Sequence, residues 1–464
     1  MSERRKPNII LVNCDDLGWG DLAGGGHPVH RTPHLDRMAA EGTRFTDFYQ
    51  SSPVCSPSRG GMLTGCYPRR IGFDLFEGRL VLFPGQGVGL SRSEETFAEV
   101  LKRAGYATAC VGKWHCGDQA EFLPTEHGFD RYYGLPYSND MGRQVGRETL
   151  PPLPLILDAE IVEQQPDQAS LTSRYVDESI RFMREHSGRP FLLYLAQMHV
   201  HLPHYVPERF AAVNPNRYAA AVEYIDWAMG RLFRELDELG IAEDTLVLFT
   251  SDNGSRCDYG ASNGHLHGTK GTTWEGGMRV PFLARWPGKV PAGRNCSEIV
   301  TGMDLLPTFA ALAGVTPNGK NRIDGKDISV LLRGEVGAKS PHEAFFYYVG
   351  GDLDAVRSGR WKLFVGRHGW AAQRGGGVRD SIPELYDLES DPGETTDVAA
   401  AHRDVVARLL TLIDRCLEDM GDETKGIPGK NRRPIGRVAD PKPLTAYAPA
   451  YPYFTEMYDL DEIG

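Results

Sequence analysis

Four short apolar segments constrain the fold of this chain more than any other feature. Each is bounded by polar residues or glycine, and they are Asn8–Asn13, Ala107–Val111, Pro190–Ala196 and Thr245–Thr250. Uninterrupted apolar runs of this length are typical of strands that are buried on both faces of a parallel sheet. Helical patterns lie between them, at Ser93–Arg103, Leu171–Glu185 and Arg217–Leu239. This alternation predicts an α/β fold with a large, mostly parallel sheet sandwiched by helices.

The C-terminal part of the chain has a different pattern. Three strand-like segments joined by glycine-rich turns are followed by a helical pattern over Thr395–Glu418, and the segments are Glu343–Val349, Asp354–Val365 and Glu384–Leu388. Short strands of this kind predict an antiparallel sheet. We therefore expect an α/β domain over residues 1–335, a smaller α+β domain over 336–420 and an extended tail over 421–464. The tail is rich in tyrosine, which favours packing over disorder.

Charge and composition narrow the classes of partner. The net charge of −11 argues against duplex nucleic acid as the main ligand, because such binding depends on a basic surface. No segment approaches the roughly 20 apolar residues of a membrane span. The opening MSERRKPNIILVNCDD lacks the apolar stretch of a secretory signal, so we expect a cytoplasmic protein whose eight cysteines are mostly free thiols.

Polar and charged side chains follow all four predicted strands. They are Asp15 and Asp16, Lys113 and His115, His199, His201 and His204, and Asp252 and Asn253. Ligands of open α/β sheets bind beyond the carboxyl ends of the strands, so these side chains should meet at one edge. Either acidic pair alone would more often be a turn, but both at one edge favour a metal site. Four oxygen ligands without sulfur suit Ca²⁺, Mg²⁺ or Mn²⁺ better than zinc.

Three cationic side chains lie in segments with small or glycine neighbours that permit close backbone approach to a ligand. They are Arg59, Lys113 and Lys270. Three carboxylates (−3), one dication (+2) and these three cations (+3) sum to +2, which suits an anion. Arg59 also lies in a predicted helix that begins near Cys55, and the positive end of that helix adds to the field. The sequence thus predicts a clamp for a tetrahedral oxyanion.

The segment around Arg59 identifies a family. Its sequence, CSPSRGGMLTG, resembles the signature of type I sulfatases of the alkaline phosphatase superfamily, in which the cysteine of C-x-P-S-R is oxidised to formylglycine. Further blocks resemble the family in the same order over roughly residues 7–400, among them PNIILVNCDDLGWGDL, GKWHCG, HVHLPH, SDNG and GTKGTTWEGG. The stretch FLPTEHGFDRYYGLPYSND is most similar to arylsulfatase A and N-acetylgalactosamine-6-sulfatase.

The resemblance implies a role for each of these positions. The metal that the resemblance implies is Ca²⁺, and it would be bound by Asp15, Asp16, Asp252, Asn253 and the modified Cys55. Arg59 and Lys113 would hold formylglycine and sulfate oxygens, and His115 would face the hydrated aldehyde. His201, Lys270 and Ser138 would face the substrate. The implied partners are a sulfate ester and a formylglycine-generating enzyme, and the implied fold of residues 1–335 is alkaline phosphatase-like.

The implied reaction depends on two hydroxyls at one carbon. One hydroxyl of the hydrated aldehyde attacks sulfur, and His201 protonates the leaving alcohol or phenol. His115 then deprotonates the second hydroxyl, which expels sulfate and regenerates the aldehyde. A serine or cysteine has no second hydroxyl, so its ester would persist.

One other function fits the same residues, a phosphonate monoester or phosphodiester hydrolase of the same superfamily. A non-catalytic protein that binds sulfated glycans is a less favoured alternative, because it should lack a metal ligand or the nucleophile and none is missing here. Substrate choice should reside in loops around the anion site, namely Phe73–Leu90, Ser138–Arg147, Gly366–Asp380 and the aromatic tail. We also expect that the tail reaches across a homo-oligomer interface.

Overall fold

The computed structural model of the chain describes residues 6–366, 383–453 and 457–462. Its strands are β1 Asn8–Cys14, β2 Thr43–Phe45, β3 Phe48–Tyr49, β4 Val88–Gly89, β5 Ala107–Gly112, β6 Arg131–Gly134, β7 Pro154–Leu157, β8 Glu160–Gln164, β9 Phe191–Ala196, β10 Thr245–Ser251, β11 Phe282–Arg285, β12 Arg294–Cys296, β13 Val300–Thr301, β14 Phe345–Val349, β15 Asp352–Ser358, β16 Trp361–Phe364, β17 Glu384–Asp387 and β18 Gly436–Arg437.

Helices alternate with the strands along the chain. They are α1 Pro33–Ala40, α2 Cys55–Thr64, α3 Phe97–Arg103, α4 Gln168–His186, α5 Glu208–Ala211, α6 Arg217–Glu238, α7 Glu275–Met278, α8 Leu305–Ala313, α9 Ser329–Leu332 and α10 Arg403–Met420. Among the residues that the structure describes, no helix is both long enough and apolar enough to cross a membrane.

Most of the strands form one large sheet. Within the described ranges it has ten strands in the order β12-β2-β11-β10-β1-β9-β5-β6-β7-β8. The neighbours β10, β1, β9, β5 and β6 run parallel, and antiparallel pairs lie toward both edges. The four apolar segments of the sequence form β1, β5, β9 and β10, so the predicted α/β sheet is confirmed.

The two faces of the sheet are covered by different helices. Ile9 and Leu11 of β1 belong to an apolar cluster that includes residues of α2, α3 and α8. Ile10 and Val12 belong to a second cluster, with residues of α1, α4 and α6. Successive side chains of a strand point to opposite faces, so an apolar run is buried on both sides only when helices cover both.

The C-terminal sheet is antiparallel and has the order β14-β15-β16-β17 in the described residues. The segment Asp354–Val365 was predicted as one strand-like unit, but it divides into β15 and β16 at a turn that contains Gly359 (φ 59°). The helix α10 contacts β15 and β16. The predicted smaller sheet with a packed helix is therefore confirmed, whereas the domain boundaries at 335 and 420 stay predictions.

The predicted helix Ser93–Arg103 begins later, at Phe97. Thr96 and Glu99 form a reciprocal cap: the Glu99 amide donates to the Thr96 hydroxyl over 3.2 Å, and the Thr96 amide donates to the Glu99 carboxylate over 2.8 Å. This cap satisfies amides that would otherwise lack partners, and the helix therefore begins after Thr96 instead of at Ser93.

The predicted C-terminal helix also begins later, at Arg403 instead of Thr395. The Asp391 carboxylate accepts hydrogen bonds from the Thr395 and Thr396 amides, over 2.8 and 2.9 Å. An aspartate whose carboxylate accepts hydrogen bonds from the amides of residues that follow it stabilises a turn, and this turn competes with helix formation.

The tail packs along the body of its own chain. Arg433 forms an ion pair with Glu94 over 2.6 Å, and β18 pairs with β4. Further along, Tyr458 is 2% exposed. The aromatic tail therefore packs on its own chain, as one of the expected arrangements. A homo-oligomer formed through the tail stays a prediction.

Candidate active site

The carboxyl ends of β1, β5, β9 and β10 form one polar edge of the large sheet. Cys14 at the end of β1 pairs with Ser251 of β10, and Gly112 at the end of β5 pairs with Ala196 of β9. Two backbone hydrogen bonds continue this register: Asp252 N to Cys14 O over 3.0 Å, and Lys113 N to Ala196 O over 2.7 Å. The acidic and basic residues after these strands therefore lie side by side.

The helix α2 brings Cys55 to this edge as its first residue. The Ser58 hydroxyl donates to the Asp252 carbonyl over 2.5 Å, and the Ser56 hydroxyl accepts from the Leu82 amide over 3.1 Å. Cys55 Sγ lies 3.5 Å from Asp15 Oδ1. The start of the helix is thus tied to the sheet edge on one side and to the Leu82 loop on the other.

The three predicted cations pair with the three predicted carboxylates. Arg59 Nη2 lies 2.8 Å from Asp252 Oδ2 and 3.5 Å from Asp15 Oδ2. Lys113 pairs with Asp15. Lys270 Nζ lies 2.8 Å from Asp16 Oδ2. All six side chains are at most 4% exposed, so their charges interact in a site from which water is largely excluded.

The pKa values of the two carboxylates at the centre of this cluster are shifted in opposite directions. Burial raises the pKa of Asp252 to about 6, and the neighbouring Asp15 carboxylate adds to the rise. Burial acts on Asp15 as well, but the Lys113 ammonium holds the pKa of Asp15 below its usual range. A dication between the two carboxylates would favour the ionised form of both.

Two residues of the site have left-handed backbone conformations that side chains other than glycine seldom adopt. Asp16 has φ 61° and His115 has φ 58°. The Asp16 amide lies 3.3 Å from Asp252 Oδ1, and the His115 amide donates to the Pro136 carbonyl over 3.1 Å. Such conformations persist where the surroundings hold them, and they are concentrated at functional sites.

The carboxylate and amide residues fit a hard divalent cation. Asp15, Asp16, Cys55 and His201 each offer a ligand atom, and these atoms lie within 4.8 Å of one another. The Asn253 amide nitrogen donates to Asp16 Oδ1 over 2.7 Å, while its buried Oδ1 has no hydrogen-bond partner. A buried oxygen without a partner beside two carboxylates is a donor that Ca²⁺ or Mg²⁺ would satisfy.

The Cys55 thiol is a poor nucleophile in this environment. Burial raises the pKa of the thiol well above its usual value, and the Asp15 carboxylate raises it further, against the opposing effect of Lys113. The thiolate is the reactive form of cysteine, and here the thiol stays protonated. The surroundings of Cys55 therefore disfavour direct thiol catalysis.

His201 and Ser138 lie beside Lys113, as the sequence predicts. Ser138 Oγ is 3.1 Å from Lys113 Nζ and 3.4 Å from either ring nitrogen of His201. His201 Nε2 is 3.9 Å from Asp16 Oδ2. Burial lowers the pKa of His201 to about 3, and Lys270 lowers it further. An anion bound between these groups would favour the protonated imidazole.

His115 and His199 have different surroundings. His115 Nε2 lies 3.0 Å from the Leu82 carbonyl, and its Nδ1 has no hydrogen-bond partner. Burial lowers the pKa of His115 well below its usual value, and Lys113 adds to this effect. Both ring nitrogens of His199 have partners, Thr172 Oγ1 and the Tyr205 carbonyl, each at 2.9 Å. His115 therefore keeps one ring nitrogen without a hydrogen-bond partner, whereas His199 links its own loop to α4.

Two contributions to the site were not predicted from the sequence. The Asp140 carboxylate opposes, with Asp15, the lowering of the His201 pKa by burial, and it is paired with Arg147 over 2.8 Å. Glu462, near the C-terminus, accepts a hydrogen bond from the His204 amide over 2.7 Å. The segment YSND suggested Ser138 only, and no local pattern links residues 204 and 462.

Of the predicted specificity loops, Gly366–Asp380 lies outside the described residues except for Gly366.

Comparison with known proteins agrees with this geometry. The family described as Sulfatase matches residues 7–315, and the family described as C-terminal region of aryl-sulfatase matches residues 340–432. Arylsulfatase A of Homo sapiens is 39% identical over 88% of this chain and 87% of its own length. N-acetylgalactosamine-6-sulfatase of Canis lupus familiaris is 37% identical over 88% and 85%.

Solved structures extend the comparison. The PsFucS1 sulfatase from Pseudoalteromonas sp. has a TM-score of 0.81 at 26% identity, covering 93% of this chain and 92% of its own. The phosphonate monoester hydrolase of Agrobacterium radiobacter, with a TM-score of 0.62 at 21% identity over 89% and 95%, shares the fold alone. The sequence matches, which cover most of the chain, show that this protein belongs to the sulfatase family.

Proposed function

We propose that this sulfatase hydrolyses a sulfate monoester, of a phenol or of a sugar, with Cys55 converted to formylglycine and Ca²⁺ bound beside it. The observation that carries the proposal is that Arg59, Lys113 and Lys270 all lie against Asp15 or Asp16, the carboxylates beside Cys55. The three cations offset the three carboxylates of the site, and a bound dication would leave an excess of +2, which suits the binding of a sulfate monoester and the stabilisation of developing charge.

Formylglycine at position 55 would supply a hydrated aldehyde, which offers an oxygen nucleophile in place of a thiol that stays protonated. Asp15, Asp16, Asp252 and Asn253 would hold the cation, which supplies positive charge at the attacked group. In this proposal the protein's own cations neutralise the sulfate oxygens. Their burial strengthens each interaction, because little water screens it.

His201 would hold the proton for the leaving oxygen. Its neighbours Ser138 and Lys113 define the side of the site from which an ester would present that oxygen. His115 would act as the base, through the ring nitrogen that has no hydrogen-bond partner in the structure. Two separate histidines for the acid and the base match the two proton transfers that hydrolysis requires.

We propose further that a formylglycine-generating enzyme acts on this chain before it folds. The side chain of Cys55 is 2% exposed, and those of Ser56 and Arg59 are fully buried. An enzyme cannot reach this segment in the folded protein without unfolding part of the core. Modification of the nascent chain avoids that requirement.

The test is turnover by protein that is co-expressed with a formylglycine-generating enzyme. Mass spectrometry of the Cys55 peptide gives the converted fraction, and kcat/KM is measured for 4-nitrophenyl sulfate and for phenylphosphonate. We expect sulfate turnover proportional to conversion and none in Cys55→Ala. A preference for the phosphonate by more than about tenfold, ~1.4 kcal/mol, would contradict the proposal.

A non-catalytic binding protein gives a different result. It would bind a sulfated ligand equally well as wild type and as Cys55→Ala, and fully converted wild type would show no turnover. The same preparation therefore distinguishes the two classes of function.

A further inference from the structure

The last described part of the tail lies against the two segments that carry Ser138 and His201. Residues 457–462, named here the tail clamp, lie beyond the region matched by either family, which ends at residue 432. The clamp is held in place by Tyr458, whose side chain is 2% exposed and whose hydroxyl donates to the Pro166 carbonyl over 2.8 Å. A buried tyrosine with a satisfied hydroxyl is a packed anchor.

On one side, the clamp binds the segment that follows Ser138. The Tyr458 amide donates to the Arg143 carbonyl, and the Val145 amide donates to the Tyr458 carbonyl, each over 3.0 Å. These two bonds make a strand-like pairing of Gln144 with Tyr458. The segment of Ser138 is thereby fixed to the tail a few residues beyond the serine.

On the other side, the clamp binds the segment that follows His201. Glu462 Oε2 accepts from the His204 amide over 2.7 Å and lies 3.2 Å from His204 Nδ1. The Tyr205 hydroxyl donates to Asp459 Oδ1 over 2.8 Å and accepts from the Leu460 amide over 2.9 Å. Two of the acceptors, Glu462 and Asp459, are carboxylates, and charged acceptors give the stronger kind of hydrogen bond.

Direct contacts between the two segments are longer. Ser138 Oγ is 3.4 Å from the His201 ring, and the Asn139 amide nitrogen is 3.4 Å from the Pro203 carbonyl. The bonds through the clamp, at 2.7 to 3.0 Å, are all shorter. The clamp therefore adds a second link between the segments of Ser138 and His201, through bonds shorter than the direct contacts between them.

We propose that the tail clamp positions His201 and Ser138 around the leaving oxygen of the substrate, with Tyr458 and Glu462 as positioning residues. The inference rests on the proposed function, in which His201 protonates that oxygen. A small displacement of a proton donor lowers the rate steeply, because the transfer needs hydrogen-bond contact. The tail thus takes part in substrate turnover without touching the sulfate.

The test compares two esters of similar size that differ in leaving group, 4-nitrophenyl sulfate and 4-methoxyphenyl sulfate. Nitrophenolate leaves without much help from a proton donor, whereas methoxyphenolate needs it. We expect Glu462→Ala, and a chain that ends at residue 456, to lose roughly tenfold more kcat/KM on the methoxy ester than on the nitro ester. Activities are normalised to the formylglycine fraction.

The control is Arg433→Gln, which breaks the tail's ion pair with Glu94 away from Ser138 and His201. This variant should have a lower Tm than wild type, and the ratio of its kcat/KM values for the two esters should be unchanged. Equal losses on both esters in Glu462→Ala would overturn the inference, and this holds even if the shortened chain fails to fold. Failure of converted wild type to hydrolyse both aryl esters and a panel of sulfated monosaccharides would instead overturn the proposed function, and the inference with it.

Discussion

At the residue scale, the candidate site is a cluster of buried charges that compensate one another. Arg59, Lys113 and Lys270 each lie against at least one carboxylate, and none of these side chains is more than 4% exposed. A buried charge without a partner is strongly destabilising, so the loss of one member should affect the rest. The composition of the cluster followed from the sequence, whereas the pairing of its members did not.

The first prediction concerns the cation. Addition of Ca²⁺ to metal-free protein should raise Tm, since an ion at 100 times its Kd stabilises the folded state by about 2.7 kcal/mol. Asp252→Asn should remove most of this rise, because it deletes a carboxylate ligand. Asp324→Asn, which removes a carboxylate paired with Arg70 away from the site, should retain it. An equal Ca²⁺ effect in both variants would contradict the assignment of Asp252.

The second prediction concerns a buried histidine outside the site. Neither ring nitrogen of His127 has a hydrogen-bond partner, and burial lowers the pKa of His127 from 6.5 to about 3. Between these values the unfolded chain binds a proton that the folded chain does not. The free energy of unfolding should therefore fall with falling pH, by about 1.4 kcal/mol per pH unit from this residue alone.

The variant His127→Phe removes the group that binds this proton in the unfolded chain, and it also removes two buried nitrogens without hydrogen-bond partners. Urea unfolding at pH 7 and pH 5 should show a smaller loss of stability in His127→Phe than in wild type. Comparing the two proteins cancels the opposite effect of Asp21 and Asp226, whose pKa values burial raises to about 7. Parallel pH dependence in the two proteins would show that His127 is protonated in the folded state.

At the element scale, the ends of the strands decide where the chemistry lies. Gly112 ends β5 and has φ 109°, and a Cβ on it would lie 1.9 Å from the Ala196 carbonyl oxygen of β9. Only glycine lets the chain turn this close to the neighbouring strand. The next residue is Lys113, so this close approach sets the position of its ammonium.

The third prediction is that Gly112→Ala lowers kcat/KM by about 10²-fold, as expected when a catalytic group is displaced by about 1 Å. It should also lower the stability of the protein. Gly105→Ala is the matched control, because Gly105 also has positive φ, 85°, but nothing lies within 4 Å of its would-be Cβ. The control should cost about 1–2 kcal/mol of stability and leave kcat/KM unchanged. A similar kcat/KM in both variants would contradict the role of the close contact.

The central strands of the sheet were predictable to within one residue, whereas the starts of three helices, α3, α4 and α10, differ from the predicted ones by three residues or more. Buried parallel strands are marked by local apolar runs, which a sequence shows directly. Helix starts depend on which side chain caps the first amides, and both Ser93 and Thr96 could do so. The choice of Thr96 reflects its reciprocal bonds with Glu99 and a bond from its hydroxyl to the His127 carbonyl.

At the scale of the whole molecule, the C-terminal sheet and the large domain share a buried ionic network. Lys362 of β16 is fully buried, with its Nζ 3.0 Å from Glu275 and 2.8 Å from Glu394. Burial raises the pKa of Glu275, but Lys362 and Arg357 outweigh it and lower that pKa to about 2. Arg357 also pairs with Asp47 over 2.6 Å. The two parts should therefore unfold together.

The fourth prediction is that Lys362→Met destabilises the protein by about 3–5 kcal/mol, because two carboxylates lose a buried partner. Lys339→Met is the control, since Lys339 is 80% exposed and its pair with Glu298 should contribute less than about 1 kcal/mol. Urea unfolding followed by tryptophan fluorescence measures both. Equal stability of the two variants would show that the network is not a determinant of folding.

The sequence by itself determined the fold class, the family and the residue types of the candidate site. These follow from local information: apolar runs mark buried strands, and the side chains directly after them must lie at the carboxyl edge of the sheet. Only the tertiary structure decided which cation meets which carboxylate and that Lys362 joins the two sheets. It also decided that Glu462 binds the loop of His201. The partners His204 and Glu462 are 258 residues apart, and contacts at such separation depend on packing of the complete chain, for which no local pattern exists.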